Sequence, residues 1–307
     1  MIRPFDWRDL PTLHRYRNQG LCLNSALGLT RGEMISPSVL ISYLTPASGV
    51  FTWIYPDDEQ PILGQISHIP ESPFIRVSFL APARAIKTPK ARDLIDHLSK
   101  QAGQQGAFHL LGEVDELDPV YEVLRSAGFG IFARQRIWKI MEENKGDQTF
   151  PKWVSVKDQH IVAVQSLFHN VVPGLVGQVE PLNINNLQGL VSYKDGELIG
   201  YVDLKYGHRG IWAQPFIHPD VEDIDAHLMG MIHSIPDRRG RPIYICVRTY
   251  QSWLEPALCE MNSQSSPLQA VMVKRLAVHQ KVALQALPNL EGQKEITAPV
   301  AQSQRNL

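Results

Sequence analysis

The chain has 307 residues, 44% hydrophobic and 20% charged, which is enough for about two domains that each bury a core. Its 30 basic residues nearly balance 31 acidic ones, which argues against bulk electrostatic binding to nucleic acid and leaves only local patches. Cys22, Cys246 and Cys259 are scattered, odd in number and free of any Cys-x-x-Cys spacing, so they read as reduced thiols.

The first residues, "MIRPFDWRDL", carry charges where a signal peptide needs an apolar run, and no stretch approaches the roughly 18 apolar residues of a membrane span. The expectation is a cytoplasmic protein with neither membrane nor nucleic acid as a partner. "IRPFDWRDLPTLHRY" (2–16) reads as a strand and then a helix with apolar 3–4 spacing. After "GLCLNSALGLTRGEMISPSVLISYL", the turn "PDDEQ" leads into a hairpin strand, "PILGQISHI" (61–69), with Gly64 inside it. "FIRVSFLAP" (74–82) is an apolar strand ending in proline. A helix over 89–102 follows, with Thr88 as N-cap and Pro89 at the first helical position. Then come a buried strand, "FHLLGEV" (108–114), a helix over about 116–127 and a closing strand, "RQRIWKI" (134–140).

"MEENKGDQTF" and Pro151 form a polar linker, after which the same order returns. "WVSVKDQHIVAVQSLF" (153–168) opens it, and "ELIGYVDLK" (197–205) repeats the hairpin strand with Gly200 at the matching place. "GIWAQPFIHP" (210–219), a helix over about 221–235, "PIYICVR" (242–248), a helix over about 250–261 and "AVMVKRL" (270–276) complete it. Matched segments lie about 135 residues apart, nearer ~151 at the openings, which is a domain duplication rather than a short-repeat array. The expected division is a first domain over 1–140, a linker over 141–152, a second domain over 153–280 and a polar tail without periodicity over 281–307. Each domain is α/β, with helices packed on a twisted mixed sheet.

One stretch is chemically odd. "ARAIKTPKARDL" (83–94) sets Arg84, Lys87, Lys90 and Arg92 around a helix N-terminus, where the dipole and free amides favour an anion. Either an anion binds there or the patch is simply solvated.

The element order, with "YEVLRSAGFGIFARQRIWKI" (121–140) as its clearest segment, resembles the GNAT family of N-acetyltransferases. The Ala127-Gly128-Phe129 corner between helix and last strand carries the likeness, and it recurs weakly at Met261, Asn262 and Ser263. The resemblance covers about 1–140 and 153–280 and implies two tandem GNAT-like domains. It also implies that acetyl-CoA, or another acyl-CoA, lies where the fourth and fifth strands splay apart. That places the backbone of Val77, Phe79 and Leu80 against the pantetheine arm, and the amide of Phe79 or Leu80 on the thioester carbonyl.

In the family the pyrophosphate rests on a loop written Gln/Arg-x-x-Gly-x-Gly/Ala. Here Arg84 fits the first position, but Lys87 and Pro89 stand where glycines belong, and proline removes an amide donor. Arg84, Lys87 and Thr88 would then hold the phosphates by side chain. The second domain offers Asp220, Glu222, Asp223 and Asp225 at that point; these repel a pyrophosphate, and Asp220 can cap the helix.

The family's general-acid tyrosine falls on Leu124, and on Leu258 in the second domain. Tyr121, one turn earlier, is either its substitute or a half-buried ring packed on the sheet. Glu113, near the end of the fifth strand, is either the base for an amine proton or a solvated strand-end charge. In the second domain Gln214 and His218 lie along one strand and Arg248 and Tyr250 at the end of the next. They form either a pocket for a small-molecule or peptide amine, or ordinary core packing with Arg248 exposed. No metal-binding spacing is present. Two functions stay open: an N-acyltransferase with its acyl-CoA in the first domain, or a silent tandem pair that binds a ligand or a protein. The resemblance tips the expectation to the enzyme.

Overall fold

The computed structural model describes residues 1–32, 49–57, 59–70, 72–141, 150–261 and 263–276. The centre of the expected linker, 142–149, and the expected tail, 281–307, lie outside them.

In the first unit β1 (Arg3–Pro4) precedes α1 (Leu10–Arg15), β2 (Leu21–Cys22) and α2 (Ser25–Arg31). An antiparallel meander follows: β3 (Val50–Tyr55), β4 (Ile62–His68) and β5 (Phe74–Ala81). The helix α3 (Pro89–Gln104) crosses back so that β6 (His109–Asp115) runs parallel to β5. Ala91, Leu94, Ile95, Leu98 and Ala102 form its buried stripe at 3–4 spacing, and Arg92, Asp93 and Lys100 face outward. Gly64 of β4 lets this helix seat, since a Cβ there would lie 2.9 Å from the Leu98 side chain. Next come α4 (Val120–Ser126) and the long β7 (Gly130–Ile140).

The second unit repeats the pattern. It comprises β8 (Trp153–Ser155), α5 (Ile161–Val171), α6 (Gly174–Val179), β9 (Gly189–Lys194), β10 (Glu197–Tyr206) and β11 (Ile211–Ile217). Then follow α7 (Ile224–Ser234), β12 (Ile243–Arg248), α8 (Glu255–Glu260), β13 (Gln264–Ser265) and β14 (Gln269–Arg275). The start of α7 differs from the expectation: Asp223, in a left-handed conformation, holds the N-cap position, and the Asp220 amide bonds the His218 ring instead. The single helix expected over about 250–261 is likewise split into a 3-10 segment, Thr249–Leu254, and α8.

The two units share one 14-stranded sheet. Its centre runs β6-β14-β7-β12, so the last strand of each unit, β14 or β7, pairs with an inner strand of the other, β6 or β12. Seven residue pairs join β14 to β6, from Gln269↔Asp115 to Arg275↔His109, and six join β7 to β12. The exchanged strands meet each other at Gln269↔Gln135, where Gln135 Nε2 donates to Gln269 Oε1 at 2.9 Å. The expected closing strands are therefore both present, but they close reciprocally, because a strand edge left bare would expose a row of unpaired amides and carbonyls.

Candidate functional site

A splay between parallel strands leaves backbone groups that must find partners. In the first unit β5 and β6 pair only through Phe74↔His109, Ile75↔Leu110 and Arg76↔Leu111, then diverge. Beyond that point β5 carries a bulge at Ser78, between Ile66↔Val77 and Gln65↔Phe79. The resemblance puts the pantetheine arm along this edge.

The chain itself fills the edge. Leu21 pairs with Leu80 and Cys22 with Phe79, antiparallel to β5. The Leu23 N–H donates to the bulged Ser78 carbonyl at 3.0 Å, and the Leu23 carbonyl accepts from the Glu113 N–H at 2.9 Å. The Ala83 N–H donates to the Gln19 carbonyl at 2.7 Å, and the Ser25 N–H to Glu113 Oε2 at 2.8 Å. Residues 19–25 thus form a strap that bonds both diverging strands. Leu23 is fully buried and anchors the strap in the first core. Asn24 caps α2 by accepting from the Leu27 N–H at 3.2 Å, and Gly28 lets that helix press on Cys22, whose Sγ would lie 2.6 Å from a Cβ.

Phe79 and Leu80 are consequently paired on both edges, to β4 and to β2, and their side chains and that of Val77 are buried. At the start of α3, Arg84 and Lys87 are exposed, and Lys90 pairs with Asp57. Thr88 holds the N-cap position, but its hydroxyl donates to the Ala85 carbonyl at 2.6 Å instead of capping.

In the second unit β11 and β12 part after Ala213↔Ile245. Pro215 stays in register with Val202 of β10 and makes no bulge there; its carbonyl faces the splay. A single side chain closes this groove. Gln251, fully buried, donates from Nε2 to the Pro215 carbonyl at 3.0 Å and accepts the Ile217 N–H on Oε1 at 3.2 Å. The primary amide imitates a peptide unit. An acyl-CoA therefore does not fit the residues present in either groove.

Between the units lies a chain of alternating charges. Arg76 of β5 bonds Glu113 Oε1 at 2.7 Å and also bonds Glu180, the residue after α6; Arg248 of β12 bonds Glu180 Oε2 at 2.8 Å. Burial opposes the Glu180 charge, but the Arg248 and Arg76 guanidiniums outweigh it and hold its pKa below the ordinary carboxylate value. Burial likewise opposes the Arg248 charge, and Glu180 more than restores it.

Glu113 is buried, and both its oxygens are taken, one by Arg76 and one by the Ser25 amide. Tyr121 packs half-buried against the first core, and Leu124 and Leu258 are fully buried. Burial pushes the Cys22 thiol up to about 11 and the Cys246 thiol up to about 12, so neither is a thiolate near neutral pH.

The residues expected to form a pocket in the second unit are dispersed. Gln214 lines a cavity of about 390 Å³ with Arg76, Glu113, Lys205 and Trp212. Tyr250 packs in the cluster of Phe168 and Phe216, and His218 sits beside Asp220 at the surface. Arg248, expected to be exposed if the strand ends were ordinary core, is only 3% exposed because Glu180 reaches in to pair with it.

Sequence reasoning missed Arg76, Glu180, Gln251 and the strap. A lone charge in "FIRVSFLAP" and another in "VVPGLVGQVEPL" were available signals, since a single charge in an apolar run asks for a buried partner. A second, larger cavity, about 820 Å³, opens beside the strap between the units.

No family model matches the sequence, and no curated protein matches it. Solved structures do match in fold. A GCN5-related N-acetyltransferase from Sphaerobacter thermophilus superposes with a TM-score of 0.54 at 10% identity, over 90% of this chain and 95% of that one. A tandem GNAT protein from the clavulanic acid biosynthesis pathway gives 0.53 at 14% identity, over 90% of this chain and 98% of its own. At such identities the likeness speaks for fold, and the chain has the tandem GNAT fold.

Proposed function

We propose that this protein uses the tandem acetyltransferase fold as a ligand-binding scaffold and does not carry out acyl transfer from acyl-CoA. The observation that carries this reading is the strap of residues 19–25, bonded along the β5 edge that a pantetheine arm would need. Gln251 in the second groove, and leucines at the two general-acid positions, support it.

The test is calorimetric titration of acetyl-CoA into the full chain, beside the Arg84→Glu, Lys87→Glu double variant. No heat and no thermal shift are expected. Micromolar binding abolished by the charge reversal would return acyl transfer to the first unit, with the strap displaced and the exposed Arg84 and Lys87 on the phosphates. An amine screen would then be the next step.

A further inference from the structure

We propose that the larger cavity binds a small organic anion with at least two negative charges, a phosphate ester or a polycarboxylate. Its meaning for the protein rests on the scaffold reading above, although its chemistry does not. At about 820 Å³ the cavity has the size of a small-molecule site. Both units build it: Cys22 and Ser25 from the strap side, Lys139 from β7, Gln269 from β14, and Arg209 and Tyr244 from the second unit.

Charge decides the ligand class. Arg17, Lys139 and Arg209 line the cavity, and among the described residues no aspartate or glutamate does, in a chain whose acids and bases are nearly equal in number. None of the three makes an ion pair among the described residues. Lys139 is the telling one. It is half-buried, as are Arg76, Arg136 and Lys274, which pair with Glu113, Glu255 and Asp96, and Arg241, which donates to backbone carbonyls; the Lys139 ammonium has neither kind of partner among the described residues. A half-buried cation gains by pairing, and the cavity is where Lys139 can find a counter-charge.

Neutral donors add to this. Gln269 Oε1 accepts from Ser25 Oγ at 3.1 Å and from Gln135 Nε2 at 2.9 Å, which fixes the amide and leaves its Nε2 without a partner among the described residues. Gly32, at φ +77°, makes room for the third cation, because a Cβ there would fall 2.3 Å from Arg209 Cδ. Three cations around one cavity leave a single carboxylate outnumbered, hence the requirement for two charges or more.

The test titrates pyrophosphate and citrate separately into the full chain by calorimetry, at low and high salt. Lys139→Gln and Arg209→Gln are the variants, and Lys100→Gln, on the exposed side of α3, controls for net charge. Submillimolar binding of at least one probe is expected, weakened at least ten-fold by Lys139→Gln and by added salt, and unchanged by Lys100→Gln. Pyrophosphate alone or citrate alone would distinguish phosphate from carboxylate ligands. Thermal midpoints of the variants without probe, matching the parent, separate lost binding from lost folding. No heat with either probe overturns the proposal, as does binding equal in the parent and Lys139→Gln or weakened equally by Lys100→Gln. Neither probe carries a thioester or a pantetheine arm, so this result and the acetyl-CoA result can fail independently.

Discussion

The two units share an element order and a problem but solve the problem differently. Each has a pair of parallel strands that part after three residues, exposing backbone amides and carbonyls along a wedge. The first unit closes its wedge with main chain, the strap at 19–25; the second closes it with the side-chain amide of Gln251. The matched glycines diverge in the same way. Gly64 makes room for the leucine tips of α3, whereas Gly200 makes room for the Trp153 ring, 2.6 Å from a would-be Cβ. The lesson is that two units of the same fold carry the same unsatisfied groups along with the same strands, and that each can satisfy them with whatever its own sequence offers.

Separating the units is the most drastic way to break this comparison. Residues 1–141 alone would leave β6 without β14, and residues 150–276 alone would leave β12 without β7. Neither piece should unfold cooperatively in a thermal melt, and both should aggregate through the bared edges. A cooperative transition in either would mean the exchange is dispensable.

Next in size is Glu180→Gln, which removes the shared partner of Arg76 and Arg248. Breaking a buried pair from one side costs about 3–5 kcal/mol, to be read from denaturant midpoints. The pH dependence has a definite sign. Because the Glu180 pKa is depressed in the folded chain, its contribution is present above the unfolded value of 4.5 and is lost as pH falls through the folded one. The parent should therefore lose stability below about pH 4.5 more steeply than Glu180→Gln does.

The two plugs can then be compared directly. Leu23→Ala empties a fully buried site under the strap and should cost about 2–5 kcal/mol. Gln251→Ala leaves the Pro215 carbonyl and Ile217 amide unpaired, for about 1–3 kcal/mol. If acetyl-CoA binding appeared in only one of these variants, that groove would be the one that retains a cofactor shape.

The smallest effect sharpens the glycine contrast. Gly200→Ala meets a rigid indole and should lose about 1–3 kcal/mol, whereas Gly64→Ala meets leucine ends that can shift and should lose less. Equal losses would mean that both neighbours yield alike.

Much of the architecture is legible in the sequence because it depends on local pattern. The alternation in "ELIGYVDLK", the 3–4 stripe of 89–102 and Pro89 after Thr88 each specify an element without reference to distant residues. The candidate site is less legible. Lys87 and Pro89, and the leucines at 124 and 258, stand out only against the pattern of the family that the sequence resembles, which the resemblance implies carries glycines and a tyrosine there. Nothing near Leu21–Leu23 or Gln251 announces that these residues close a groove, since their partners lie far along the chain, at Leu80, Phe79 and Ser78 or at Ile217.

By itself, then, the sequence determined the repeated order of strands and helices, written in short-range periodicity and residue type. Only the tertiary structure decided that the last strands exchange, that Arg76, Glu113, Glu180 and Arg248 form one chain, and that both grooves are filled. Those outcomes follow from satisfying buried hydrogen-bonding groups and charges across long separations, a condition imposed by packing rather than by any local run of residues.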